Sequence, residues 1–234
     1  MRDKIIRIFK SDENYNVEVK QYNSIDGMLA FGLFILLYVS YYFLGYLYQS
    51  KHIYLGELLN IVLALTTILI VKLRGQKISS VGVTKHKLKK TIVVGLITGA
   101  LFLFTCSLIP GIIKGLEWNP PLTILYKIFY FFIIIGFVEE LVFRGFIQTR
   151  LHGLIHNEMA VTVVTGILFS SMHIPFQMAL YNMKTFQYIS NNSITLFLLF
   201  FWHILFVFLY KKFNSIVTGT LFHGFMDMCN GLFR

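Results

Sequence analysis

The amino-acid sequence predicts an all-α, polytopic transmembrane helical bundle of about seven helices. Two observations carry this prediction, the apolar composition and the gathering of apolar residues into long runs. Of the 234 residues, 56% are hydrophobic and only 14% are charged, whereas a soluble domain usually carries about 25% charged residues. The mean hydropathy is +0.67. So little polar surface cannot cover a water-soluble globule, which indicates that lipid covers most of the outside.

The apolar runs are long enough to cross a bilayer, which takes about 20 helical residues. The fourth run is long enough to tilt, and the seventh is the least hydrophobic, which is typical of a helix buried among others. A short additional segment around 118–124 would make eight. We find no internal repeat, so we predict a cytoplasmic tail (1–25) followed by one transmembrane domain (26–234). The predicted spans are 28–48, 53–71, 91–113, 122–151, 160–180, 193–210 and 213–232.

The net charge of +10 is concentrated between the apolar runs, which favours a bilayer over nucleic acid as the partner, since no nucleic-acid-binding motif is present. Alternating the helices collects most basic residues on one side. By the positive-inside rule, that side is cytoplasmic. We therefore predict a multi-pass protein of the cell membrane with a cytoplasmic N-terminus. The basic residues of the predicted cytoplasmic side are Arg2, Lys4, Arg7, Lys10, Lys20, Lys72, Arg74, Lys77, Lys85, Lys87, Lys89, Lys90, Arg150, Lys211 and Lys212, and those of the outer side are Lys51, Lys114, Lys127, Lys184 and Arg234.

Several ionisable residues lie inside the apolar runs, where charged side chains are costly and usually functional. At about 1.5 Å of rise per residue, Glu139 lies roughly 18 Å into the fourth run from its cytoplasmic end. On the same scale, His173 lies roughly 20 Å into the fifth run and His223 roughly 15 Å into the seventh. Similar depths on three helices predict one shared site. Its predicted members are Glu139, Glu140, Arg144, His173, His223 and Asp227.

The spacings within each helix fit such a site. Glu140 and Arg144 are four residues apart and can form an ion pair on one helical face, while Glu139 points about 100° away, towards a cavity. His223 and Asp227 are also four apart. A carboxylate and an imidazole on neighbouring helices can hold a water molecule and take its proton. A second imidazole can stabilise the oxyanion that forms when this water attacks a carbonyl, so the pattern indicates hydrolysis.

No cofactor is required by this chemistry, and we favour a metal-free glutamate mechanism. Two histidines and a carboxylate are also familiar zinc ligands. A zinc ion held by Glu139, His173 and His223 therefore stays an alternative, although the sequence lacks the HExxH motif of many metalloproteases.

Three motifs in the chain, EELVFR, FSSMH and HGFMD, resemble the EExxxR, FxxxH and HxxxN/D motifs of the CPBP family over roughly residues 75–230. That family contains the type II CAAX prenyl endopeptidases and the bacterial Abi-type, bacteriocin-processing and immunity proteins. The resemblance implies that Glu139 is the catalytic glutamate and that His173 helps it to activate water. It also implies an oxyanion site at His223 and position 227, and a structural ion pair between the two remaining residues of the first motif, Glu140 and Arg144.

Position 227 departs from the pattern with Asn at the end of the third motif. Asn can donate a hydrogen bond to an oxyanion, whereas an ionised Asp cannot. Asp227 is therefore protonated, orients His223, or helps to bind a metal; the sequence leaves these roles open.

We interpret the chain as an intramembrane endopeptidase of glutamic type that cuts a membrane-associated peptide or protein. The composition, rich in Phe, Ile and Lys, is typical of a low-GC bacterium and favours processing of a leader, pheromone or bacteriocin-like peptide over a prenylated CAAX tail. The sequence makes no prediction of oligomeric state. The alternative function is a non-catalytic bacteriocin-immunity or peptide-binding scaffold protein. A transporter is disfavoured because related halves are absent.

Overall fold

The computed structural model describes residues 10–234 and shows a bundle of helices. Over these residues no strand forms, and an isolated bridge pairs Trp118 with Phe233. Six helices of the described chain are long and apolar enough to cross a membrane, which confirms the predicted helical membrane bundle. The helices are α1 (Glu13–Glu18), α2 (Ser24–Lys51), α3 (Gly56–Leu73), α4 (Leu88–Ile113), α5 (Pro121–Gly153), α6 (Glu158–Leu180), α7 (Thr185–Asn191), α8 (Ser193–Phe213) and α9 (Val217–Met228). The predicted tail residues Arg2, Lys4 and Arg7 lie outside the described residues.

The helix within the seventh predicted span, 213–232, is shorter than the span. Helix α9 has 12 residues, about 18 Å at the usual rise, and the chain then continues without regular structure. This segment nevertheless runs along α4, from near its start to near its end. The Thr218 hydroxyl donates to the Thr91 carbonyl (3.1 Å), and the Ser107 hydroxyl donates to the Cys229 carbonyl (2.9 Å). Non-helical backbone is tolerated at membrane depth where protein surrounds it.

Small residues on α4 allow α9 to approach closely. A Cβ atom placed on Gly95 would lie 2.9 Å from the Leu221 Cβ, and one placed on Gly99 would overlap the Phe225 ring. Glycines four residues apart are typical of tightly packed membrane helices. With Leu221 and Phe225 turned towards α4, the opposite face of α9 carries His223 towards α5.

Arg150 is one of the basic residues predicted for the cytoplasmic side, and its side chain is fully buried. Its guanidinium donates to the Ser80 carbonyl (2.7 Å) and to the Gln76 side chain (2.9 Å). Arg150 therefore holds the loop between α3 and α4 against the end of α5, a tertiary contact that loop charge alone does not reveal.

Asp12 provides a second link at the same end of the bundle. Its carboxylate caps α1 and contacts Lys87 and His86 in the segment before α4, and its backbone N–H donates to the Lys211 carbonyl (2.8 Å). Burial raises the pKa of the Asp12 carboxyl, but hydrogen bonds from Lys87 and His86 outweigh burial and hold this pKa below its ordinary value. The start of the described chain is thus fixed beside the segment that precedes α4 and the last turn of α8.

Candidate active site

Glu139 and Glu140 lie where the backbone hydrogen bonding of α5 changes. The segments Tyr130–Phe137 and Glu140–Gln148 are π-helical, a local widening that often occurs at functional sites. The two adjacent carboxylates have different surroundings: Glu140 is fully buried, whereas Glu139 retains 9% exposure and lines a cavity.

Glu140 forms a buried ion pair with Arg144, in which the guanidinium Nη1 lies 3.0 Å from the carboxylate Oε1. The guanidinium carbon lies 4.1 Å from the centroid of the Phe169 ring and 4.7 Å from that of Phe206. Both distances suit cation–π attraction, and a planar guanidinium is well adapted to such stacking. On the other side of Glu140 stands Gly219 of α9, where a Cβ atom would overlap the carboxylate. Glu140 is therefore held in place on both sides.

His173 lies at a break in α6. The regular helix ends at Ser171 and resumes at Ile174, followed by Pro175. At the break the backbone N–H of His173 donates to the Ser170 carbonyl (3.3 Å), while the imidazole Nδ1 contacts the Phe169 carbonyl (3.0 Å). Because a carbonyl only accepts hydrogen bonds, Nδ1 carries the proton. The other ring nitrogen, Nε2, is then an acceptor in the neutral imidazole.

His223 lies between three carboxylates. Its Nδ1 is 3.4 Å from Glu140 Oε1, while its Nε2 is 3.8 Å from Glu139 Oε2 and 3.6 Å from Asp227 Oδ2. The ring stacks on Phe206 with 4.8 Å between centroids. A protonated His223 can therefore pair with both glutamates and link the buried ion pair to Glu139.

A cavity of about 420 Å³ opens in front of Glu139 and His173. Its walls are largely apolar and aromatic with few polar groups, as in most ligand pockets. The Glu139 Oε2 atom is buried, has no hydrogen-bond donor within residues 10–234, and lies 3.8 Å from His223 Nε2, so this oxygen is on the α9 side of the carboxylate. His223 and Asp227 are not among the residues that line this cavity; His223 contacts both glutamates from the α9 side, and Asp227 contacts His223. The lining also includes Tyr41, Tyr54, Asn60, Phe176, Tyr188 and Leu199.

Asn60 and Tyr41 also belong to the site, although they were not predicted from the sequence. The Tyr41 hydroxyl donates to Asn60 Oδ1 (2.6 Å), and Asn60 Nδ2 donates to the Ile134 carbonyl (3.1 Å) in the first π-helical segment. The sequence held a signal for Asn60, which is an amide inside the apolar run of α3, where polar groups are costly. Tyr41 gave none, because the second half of α2 is rich in tyrosines.

The candidate metal ligands are not gathered into a ligand cluster in this conformation. Across the described part of the chain, no group of three or more His, Cys, Asp or Glu side chains could hold a metal ion. The choice between metal-free chemistry and zinc at Glu139, His173 and His223 stays a prediction.

Residues 121–229 are similar to a known family, described as type II CAAX prenyl endopeptidase Rce1-like. The match contains all three motifs and confirms the resemblance that they indicated. The part of the resemblance that precedes residue 121, from about residue 75, lies outside the matched residues and stays a prediction. Neither the curated proteins nor the solved structures yielded a match to the chain.

Proposed function

We propose that the chain hydrolyses peptide bonds by glutamate-activated water, from the premise that residues 121–229 match the Rce1-like type II CAAX prenyl endopeptidases. The multi-pass helical bundle and the family together support an intramembrane endopeptidase that acts on a membrane-associated peptide. One observation carries the catalytic proposal: Glu139 and His173, from α5 and α6, line the same cavity.

In the proposed reaction a water molecule lies between Glu139 and His173. Nε2 of His173 accepts one hydrogen bond from this water and orients it, while the Glu139 carboxylate accepts the other hydrogen as a proton. The water oxygen bonds to the scissile carbonyl carbon and forms a tetrahedral intermediate. When the C–N bond breaks, Glu139 returns the proton to the leaving amine.

His223 and Asp227 support this reaction from behind the glutamates. The distances of 3.8 Å to Glu139 and 3.4 Å to Glu140 allow His223 to hold the Glu139 carboxylate in place relative to the buried ion pair. Asp227, 3.6 Å from His223, orients the imidazole. This role explains how an aspartate can serve at a position where an amide donor would otherwise point to an oxyanion.

The proposed substrate is a leader, pheromone or bacteriocin-like peptide at the cell membrane of a bacterium, with the N-terminus of the enzyme in the cytoplasm. The largely apolar lining of the cavity suits a hydrophobic peptide segment. The composition that favours a bacterial source also favours such a peptide over a prenylated protein.

The test compares secreted and membrane-bound peptides from cells that carry the wild type, Glu139→Ala, His173→Ala or no copy. We expect a precursor to accumulate in the last three strains and to mature only with the wild type, with both variants inserted at wild-type levels. The matched control is Glu57→Ala, because Glu57 lies near the start of α3, where it bonds Tyr126 away from the cavity. If the Glu139→Ala strain matures the peptide normally while the deletion strain does not, the chain acts as a binding or immunity protein.

A further inference from the structure

The proposed reaction needs hydrogen-bond donors at the carbonyl oxygen of the scissile bond, and the cavity has a candidate donor outside the three motifs. When a water molecule attacks a carbonyl, negative charge develops on the carbonyl oxygen, and donors placed near it supply much of the catalysis. An ionised Glu139 only accepts hydrogen bonds. The Nδ1 proton of His173 is occupied by the Phe169 carbonyl, and its Nε2 faces the water as an acceptor. The resemblance implies one donor at His223, which approaches Glu139 from the α9 side at 3.8 Å. A donor on α3 would act in addition to it.

Asn60 has the required donor. The orientation of its amide is fixed, because only the nitrogen can face the Ile134 carbonyl and only the oxygen needs the Tyr41 hydroxyl as a donor. An amide nitrogen carries two hydrogens, and within the described residues Nδ2 has a single protein acceptor, Ile134. The side chain is 3% exposed and lines the cavity together with Glu139 and His173.

We propose that Asn60 is a catalytic residue whose second amide hydrogen donates to the carbonyl oxygen of the scissile peptide bond. Tyr41 is a positioning residue, since it holds the amide through Oδ1. This inference rests on the proposed peptidase function. It also gives α2 and α3, which precede the matched residues 121–229, a direct part in the reaction.

The first test is the steady-state kinetics of Asn60→Leu in the purified full chain. The probe is the precursor peptide that accumulates with Glu139→Ala, synthesised with a fluorophore and a quencher on either side of the cleaved bond. We expect kcat to fall about 10²- to 10³-fold, the usual loss for one oxyanion donor, with KM nearly unchanged. The control is Thr67→Val on the same helix, because Thr67 is buried and its hydroxyl bonds the Leu63 carbonyl outside the cavity.

A thioamide at the scissile bond separates a donor from a structural role. Sulfur accepts hydrogen bonds poorly, so the wild type and Thr67→Val should lose rate when oxygen is replaced by sulfur. Asn60→Leu, which has already lost the donor, should lose at least tenfold less. Equal thioamide effects in all three proteins would show that Asn60 acts only through packing and would overturn the inference.

Tyr41→Phe keeps the inference testable if Asn60→Leu does not fold. This variant leaves the amide in place but removes one of its two anchors, so we expect a smaller fall in kcat and a reduced thioamide effect. Wild-type kcat and a wild-type thioamide effect in Tyr41→Phe would contradict the inference. A wild-type chain that cuts no peptide defeats the proposed function itself, whereas a cleaving wild type with a fully active Asn60→Leu defeats only the role of Asn60.

Discussion

At the scale of single residues, the buried charges of the site depend on one another. Arg144 is fully buried, and its charge is matched by Glu140 at 3.0 Å and by the faces of Phe169 and Phe206. Transfer of such a pair out of water is expensive, and its members are stable only together. The second motif therefore contributes more than His173, because its Phe169 covers the guanidinium and its carbonyl fixes the imidazole tautomer.

Removing Arg144 alone should destabilise the fold strongly. In Arg144→Leu, the Glu140 carboxylate is left buried without its cation, which typically costs about 3–5 kcal/mol. The double variant Glu140→Leu/Arg144→Leu removes both charges and should recover most of that loss, although its activity stays low. The measurement is the unfolding midpoint of the purified protein in detergent with increasing denaturant. A single variant as stable as the wild type would contradict the view that this pair is interdependent.

The site residues that the sequence revealed share one property: each is an ionisable group inside an apolar helix. Glu139, His173 and His223 stand out for this reason, and their similar depths predicted one site. Asn60 carries no charge and belongs to no motif, so its contribution depends on a tertiary contact with the Ile134 carbonyl. Tyr41 likewise acquires a role only because α2 and α3 pack together.

At the scale of secondary-structure elements, α5 and α9 must approach closely for the site to form. Gly136 of α5 faces α9, and a Cβ atom there would lie 3.1 Å from the Thr220 carbonyl. The π-helical segments and the early end of α9 were not predicted, because apolar composition reports neither the hydrogen-bond register of a helix nor its exit into irregular backbone. The sequence therefore revealed which helices carry the site but not the local geometry that joins them.

Gly219→Val should disrupt the close packing of α9 against α5. Any side chain at this position overlaps the Glu140 carboxylate, so either the carboxylate leaves Arg144 or α9 moves away and takes His223 with it. We expect activity to fall at least tenfold, with a lower thermal unfolding midpoint. The control is Gly32→Ala on α2, where a Cβ atom would meet nothing within 4 Å and where alanine favours the helix by up to about 1 kcal/mol. Full activity of Gly219→Val would show that the contact is not needed.

At the scale of the whole molecule, the two ends of the described chain lie at opposite ends of the bundle. Near its start, Asp12 contacts Lys211 and the segment before α4. At the other end, the Arg234 side chain pairs with Glu117 after α4 at 2.7 Å. Seven predicted crossings are consistent with this arrangement, since the segment containing α9 completes the last one inside the protein.

The predicted orientation can be measured with single cysteines on either side of α4. Lys85 and Lys114 are both exposed, before and after this helix, and the native Cys106 and Cys229 are first replaced by alanine. Because basic loops stay in the cytoplasm, a membrane-impermeant maleimide added to intact cells should label Lys114→Cys but not Lys85→Cys. Permeabilised cells should label both, which controls for the reactivity of each thiol. Labelling of Lys85→Cys alone in intact cells would show that the orientation is opposite to the predicted one, with the Asp12 end of the bundle facing the outside.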